Sequence, residues 1–538
     1  MFAARSANAL HRLLDVLPVF AGDDRVTRVF TLVPGSDFGI DALAAIERVG
    51  ARTVPWEEAC RRSYDLIVAA SPKGELRLLR GRRVLLPHGA GFNKTVRGEG
   101  SDDSASGLDP AFLVRDGEVL AALYALAHPS QVDRLAAVSP RAAEHAVVVG
   151  DPTLERILAS RSRREAYRAA LGTGARKLIV MTSTWGPESL LRRRPELPAE
   201  LAARLPYDSY QLALVAHPNE RNRTSPFDLV EQLAPALDAG MVLAGAYEEW
   251  GAVLIAADAV ITDHGSTALY AAALDRPLIG ACDGGAELIP GSPMGEVLAH
   301  CPGLDDPGGV EGAIAAHRPG AVRALAKAAF AEQGRALDRL REELYALLGL
   351  EPPDGPATVR LLPDPRPPVR APAAFAVRTR VGDHTVRVER FPAHTGASGQ
   401  HLAVEYDAAD ERHAQSAGLL YRRAGQAPVR PYSATWTADG WIAHVLDQYP
   451  GCRTAGVVMS PSWCLVRDRR GPLLSLRVGP CREDGLLLRT DPAAVLSGVH
   501  AWPAAHRDLP AEVTCVIGDR SYPVRVEPAT AGEATAAL

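Results

Sequence analysis

Short runs of apolar residues alternate with amphipathic stretches through the first 350 positions of this chain. Residues 29–33, 65–70, 84–86 and 147–149 read as strands, and 40–49 has helical spacing that stops at Gly50. A second series follows at 178–181, 211–216, 241–243, 259–261 and 277–280, with helical sequence over 153–170 and 321–348. Strands that are apolar throughout, rather than at every second position, mark a parallel sheet covered on both faces. The pattern predicts two successive Rossmann-like lobes, 1–150 and 151–350, facing each other.

The pattern then changes. Residues 351–373 are rich in proline (PPDGP, PDPRPP), which predicts a stiff interdomain linker. From 374 the pattern is strand-like: 375–391 alternates in strand fashion, with Gly382-Asp383 placed for a hairpin turn. Similar runs recur at 402–406, 456–459, 473–478, 485–488 and 513–517. The expected fold class is therefore α/β, two facing Rossmann-like lobes, followed by a separate mainly-β domain over 374–538, read as a sandwich.

Composition narrows the function classes. A chain of 538 residues exceeds one hydrophobic core, which stops growing near roughly 250–300 residues. The formal net charge of −5 gives no electrostatic footprint for nucleic acid, and Arg192-Arg193-Arg194 reads as solvated surface. The seven cysteines are widely spaced and form no CxxC pair, which argues against a disulfide framework and a structural zinc site. Residues 1–20 carry Arg5, His11, Arg12 and Asp15 and do not fit a secretory signal. No stretch reaches the ~18 apolar residues of a membrane span. A cytoplasmic protein with reduced thiols is expected, with peripheral membrane contact left open.

The candidate chemistry sits where predicted strands end, the edge at which open α/β sheets bind ligands. The first cluster is Pro87-His88-Gly89-Ala90-Gly91. His88 is a candidate general base, and Gly89 and Gly91 allow close backbone approach. The second is Thr262-Asp263-His264-Gly265-Ser266-Thr267, which opens a helix. Free N–H groups at a helix start suit phosphate, and the same residues also serve as an ordinary cap. Ser183-Thr184-Trp185-Gly186 and His217-Pro218-Asn219 end two further strands. The polar stretch 97–107 is placed either for a lid or for a plain surface insertion. Asp283 and Glu287 read as surface acids, and no metal-ligand set is evident. The motifs of dehydrogenases, P-loop enzymes, zinc proteases and lipases are absent.

In order and spacing, LLPHGAG, VVGDPTLERIL, VMTSTWG, LVAHPNE and ITDHGSTALYAAALDRPLI resemble the motif series of the CDP-glycerol glycerophosphotransferases of teichoic acid synthesis, over residues 85–280. The resemblance implies a GT-B fold and transfer of glycerol phosphate from CDP-glycerol. Because the chain departs from the family's donor motif, the expected donor widens to a nucleotide-activated one, CDP- or UDP-linked, with no other cofactor. It implies that His88 activates the acceptor hydroxyl and that His217 lies near the donor phosphates. It implies that Asp263, Gly265, Ser266 and Thr267, with Thr184 and Trp185, belong to the donor side. This chain has His264 and Gly265 where the family has tyrosine and serine, and Tyr270 where the family has an acid. His264 thereby becomes a further acid–base candidate. The acceptor is left open. So are two rival readings, a GT-B epimerase or hydrolase and a degenerate binding scaffold.

Overall fold

The computed structural model describes residues 1–35, 46, 50–87, 89–95, 105–245, 247–425, 434–504 and 509–538. His88, most of the helix expected over 40–49 and most of the stretch expected over 97–107 lie outside the described residues.

The first lobe is a six-stranded parallel sheet. Its strands are β1 (Phe2–Ala4), β2 (Phe30–Leu32), β3 (Ser63–Ala69), β4 (Arg80–Leu85), β5 (Leu123–Leu126) and β6 (Ala146–Val148), in the order β2-β1-β3-β4-β5-β6. Successive residues of β3 feed opposite cores: Leu66 and Val68 enter one, Ile67 and Ala69 the other. That is the physical reason the strand reads as a continuous apolar run. The second lobe has β7 (Lys177–Ser183), β8 (Tyr210–Ala216), β9 (Val242–Leu243), β10 (Ala259–Thr262) and β11 (Leu278–Gly280), all parallel, in the order β9-β8-β7-β10-β11. Here Leu178 and Val180 face one core and Ile179 and Met181 the other.

The helices that position the site are α1 (Ala7–Val16), α2 (Pro152–Ala159), α3 (Pro218–Thr224), α4 (Thr267–Ala273) and α5 (Ala336–Leu348). Ser6 caps α1 by accepting from the Ala9 N–H at 3.3 Å. The helix expected over 321–348 is two pieces, Ala321–Ala326 and α5. Helix α5 crosses back to the first lobe, where Leu337, Leu340 and Leu344 pack with Phe2 and Leu10. Tyr345 donates to Asp23 at 2.8 Å on the same lobe.

A buried polar network ties the lobes together. Arg12 of α1 donates to both carboxylate oxygens of Asp151 at 2.7 Å, and Asp151 caps α2 through the Leu154 N–H at 2.8 Å. Tyr270 of α4 donates to the same Asp151 at 3.2 Å. Arg156 of α2 pairs with Asp15 and with Glu248, both at 2.8 Å. Removing one partner from such a buried set strands a charge, at a cost of about 3–5 kcal/mol.

Residues 351–373 contain no helix or strand, yet they are pinned to the second lobe. Leu362 is buried, its N–H donates to Ser160 Oγ at 2.9 Å and its carbonyl accepts from Tyr167 at 2.9 Å. Arg366–Glu249 and Arg370–Asp238 ion pairs, both at 2.7 Å, extend the attachment.

The C-terminal region is mainly β, and it is a closed barrel rather than a sandwich. Its strands are β12 (Ala374–Val381), β13 (Thr385–Pro392), β14 (His401–Glu405), β15 (Leu419–Arg423), β16 (Thr454–Ser460), β17 (Trp463–Asp468), β18 (Leu474–Val478), β19 (Glu512–Ile517) and β20 (Arg520–Pro528). The ring runs β12-β13-β19-β20-β18-β17-β16-β15-β14 and closes by pairing β14 with β12. Helix α6 (Pro492–Ala501) is buried at every residue, against strands on opposite sides of the ring such as β13 and β17. A helix filling the interior takes the place of a second sheet. Gly498 makes room for it: a Cβ there would lie 2.9 Å from Val386 Cγ1.

Candidate functional site

The first sheet changes direction between β1 and β3, and the second between β7 and β10. Such switch points leave a crevice at the carboxyl ends of the strands. Both open on one cavity of about 270 Å³. Arg5 and Ser6 follow β1 and Lys73 follows β3 on one side. Thr184 and Trp185 follow β7, His217 and Asn219 follow β8, and His264, Gly265, Ser266 and Thr267 follow β10 on the other. Gly89 and Gly91 line it from the loop after β4, as does Pro87.

The lobes meet closely here. A Cβ on Gly89 would stand 3.0 Å from Ser266 Oγ, so a residue without a side chain keeps the crevice open at that point. Gly91 is left-handed (φ +85°), a conformation that favours glycine. Ser266 precedes the seven-residue α4 without capping it through its side chain. The residue lines the cavity, and its hydroxyl is the atom a Cβ on Gly89 would meet.

Asp263 plays a different part from its neighbours. Its side chain is fully buried and accepts three backbone N–H groups: Thr184 at 2.9 Å, Leu190 at 2.8 Å and Gly265 at 2.9 Å. It thus clamps the loop after β7 to the loop after β10, while burial pushes its carboxyl upward against those hydrogen bonds. Gly265 is required beside it, since a Cβ there would lie 3.0 Å from Asp263 Oδ1.

His264 is also buried, and its Nε2 pairs with Glu287 Oε2 at 2.9 Å. Its Nδ1 is buried with no hydrogen-bond partner among the described residues. Lys94, from the first lobe, reaches across to Glu287 at 3.5 Å, donates to the Trp185 carbonyl at 3.0 Å and lies 4.8 Å from the Trp185 ring centre. Burial works to raise the Glu287 carboxyl, but the His264 hydrogen bond and the Lys94 charge outweigh it and hold the group below its usual range. Burial lowers the Lys94 ammonium, with Glu287 opposing. Gly284 (φ +81°) admits this arrangement, because a Cβ there would lie 2.8 Å from His264 Cβ.

His217 starts α3, and its Nδ1 accepts from the Asn219 N–H at 3.1 Å. Its ring centre is 6.4 Å from that of Trp185. The electrostatic character of the cavity comes from Arg5, Lys73 and Lys94, and no carboxylate lines it among the described residues. Burial, with Arg5 adding to it, lowers the Lys73 ammonium to about 8. Among the described residues no group of three or more His, Cys, Asp or Glu is placed to hold a metal ion.

The residues that sequence reasoning missed are the cations and the acid. Glu287 is no surface acid: its side chain is only 12% exposed, because the turn at Gly284 folds it back onto His264. Arg5, Lys73 and Lys94 belong to no motif, and only the strand order brings them together.

No family model and no curated protein matches the chain. Among solved structures it is similar to the wall teichoic acid polymerase TagF, with 12% identity over 65% of this chain and 89% of that one and a TM-score of 0.45. It is also similar to the S. aureus MnaA–UDP co-structure, with 10% identity over 66% and 99% of the two chains and a TM-score of 0.42. The UDP-GlcNAc 2-epimerase of Methanocaldococcus jannaschii gives 11% identity over 64% and 99%, with a TM-score of 0.41. The α/β description of the two lobes rests on the strand orders. No helix among the described residues is long and apolar enough to cross a membrane.

Proposed function

We propose that this chain is a GT-B-type transferase acting on a nucleotide-activated donor, a CDP-alcohol or a nucleotide sugar. One observation carries the reading. Both switch points open on a single cavity lined by Arg5, Lys73, Lys94 and the Ser266 and Thr267 hydroxyl residues, with no carboxylate among its described lining. Cations and hydroxyl residues lining one cavity suit a diphosphate, and such groups stabilise the charge that develops on a leaving nucleotide.

In this reading Ser266, Thr267 and Lys94 hold the diphosphate. His217, whose Nδ1 accepts from Asn219, assists the departing phosphate as a donor through Nε2, and His264, whose Nε2–H is taken by Glu287, donates through Nδ1 only when its ring carries both protons. His264 is suited to it, since Glu287 fixes its ring from behind. His88, between Pro87 and Gly89 in the sequence, is assigned the acceptor hydroxyl as general base.

The test is a thermal-shift screen of the full chain with CDP, CMP, UDP, GDP and ADP. A ligand that binds only the native state at 100 times its Kd stabilises by about 2.7 kcal/mol. The reading expects one nucleoside diphosphate to stabilise the chain selectively, the shift to vanish in Ser266→Ala, and His88→Ala to keep it. A flat response to all five overturns the reading in favour of a scaffold.

A further inference from the structure

A second cavity, of about 820 Å³, lies between the second lobe and the barrel. On the lobe side it is walled by the segments leading into β7 and β8, at the amino ends of those strands. It is therefore at the edge of the sheet opposite the cavity described above, a strand length of roughly 20 Å away.

The junction is built rather than incidental. Arg390, fully buried in the barrel wall, donates to both oxygens of Asp208 in the lobe, at 2.7 and 2.6 Å. Arg520 donates to the Ala175 carbonyl at 2.7 Å. Gly518 (φ +60°) lets the β19–β20 turn approach Ser209: a Cβ there would lie 2.8 Å from its hydroxyl.

The lining holds two kinds of cation. Lys177, Arg204, Arg423 and Arg520 are each paired with a carboxylate: Glu311, Asp306, Asp491 and Glu483. Four arginines have no carboxylate partner among the described residues. Arg176 donates to the Thr173 and Gly172 carbonyls, at 3.1 and 2.6 Å, and lies over the Tyr207 ring. Arg378 donates to the Ser398 carbonyl at 2.8 Å and lies over the Phe391 ring. Arg387 donates to the Gly518 carbonyl at 2.9 Å. Arg489 is exposed. Glu389 and Asp519 are lining carboxylates outside any ion pair among the described residues, so cations remain in excess.

A guanidinium anchored on a carbonyl has its orientation fixed and its charge left uncompensated. Its remaining N–H groups match the planar, two-point geometry of a phosphate. Several such forks on separate walls call for a ligand with more than one anionic group. A volume of this size lies within the range of small-ligand sites, about 300–1,000 Å³.

We propose that this junction cavity is a second ligand site, for a small molecule carrying two or more phosphate groups. Such a ligand bridges the barrel and the second lobe. The proposal is independent of the function assigned to the first cavity.

The test uses the full chain and inorganic tripolyphosphate, read by hydrogen–deuterium exchange at low and physiological salt. Tripolyphosphate is expected to protect residues 172–177 and 516–520. The paired exchange Arg378→Glu/Arg387→Glu is expected to raise the concentration needed by about tenfold or more. Arg489→Glu, at an exposed position outside any ion pair among the described residues, is expected to weaken protection without disturbing the fold. Protection is expected to persist in Ser266→Ala. Protection confined to residues 183–187 and 263–267, or unmoved by the charge reversals, overturns the proposal, as does no protection at all.

Discussion

Asp263→Ala tests how the first cavity is built. The wild-type carboxylate satisfies three backbone donors on two loops that share no strand, at 2.8–2.9 Å. Alanine leaves those N–H groups buried without acceptors, and each stranded donor costs about 1–3 kcal/mol. Relief of a buried charge offsets part of this, so we expect a net local cost of about 3–5 kcal/mol. Every 1.4 kcal/mol is tenfold in an opening equilibrium, so amide exchange in 183–191 and 262–267 should rise by roughly two to four orders of magnitude. Barrel segments should not change. Asp263→Asn keeps one oxygen and turns an amide donor toward one or two of the N–H groups, so it should fall between wild type and alanine. Unchanged exchange at Thr184, Leu190 and Gly265 in Asp263→Ala would refute the clamp.

Three further outcomes follow from the same structure. Gly284→Ala forces a Cβ into a left-handed position 2.8 Å from His264, and should cost more than about 1 kcal/mol in chemical denaturation and weaken nucleotide binding. Lys73 loses its proton near pH 8, so diphosphate affinity measured by calorimetry should fall as pH rises through that value, and Lys73→Arg should remove the fall. In the barrel, His401 and His500 lie with ring centres 4.3 Å apart, and burial lowers both, His401 to about 4. The unfolded chain takes up these protons first, near the ordinary value of 6.5, so this contribution to barrel stability is full above that pH and drains away as pH falls toward 4, His401 alone accounting for roughly 3 kcal/mol. Near-UV circular dichroism should show this loss, and His401→Gln/His500→Gln should flatten it.

The lobes were legible in sequence because strands buried on both faces leave continuous apolar runs. β7 and β10 are of this kind, and the polar clusters after them stand out by contrast. β1 was not legible: Phe2–Ala4 has three residues and no period to read. Missing it also hid Arg5, which owes its place to the position of β1 beside the switch point of the sheet. Glu287 was hidden because its contact with His264 depends on a left-handed turn between them. The barrel was read as β from alternation, but closure depends on which strands pair, and α6 is too uniformly apolar to announce that strands surround it. The segment 351–373 was read as a stiff linker from its prolines, while its attachment through Leu362 carries no sequence signature.

The decisive measurement for the first cavity is a crystal structure of the full chain with the nucleoside diphosphate selected by thermal shift. The diphosphate should lie between the lobes, within hydrogen-bond distance of Ser266 or Thr267 and of Lys94, with the ribose and base extending toward Trp185. A diphosphate seated away from these residues, whether at the barrel junction or on an outer face, would contradict the transferase reading.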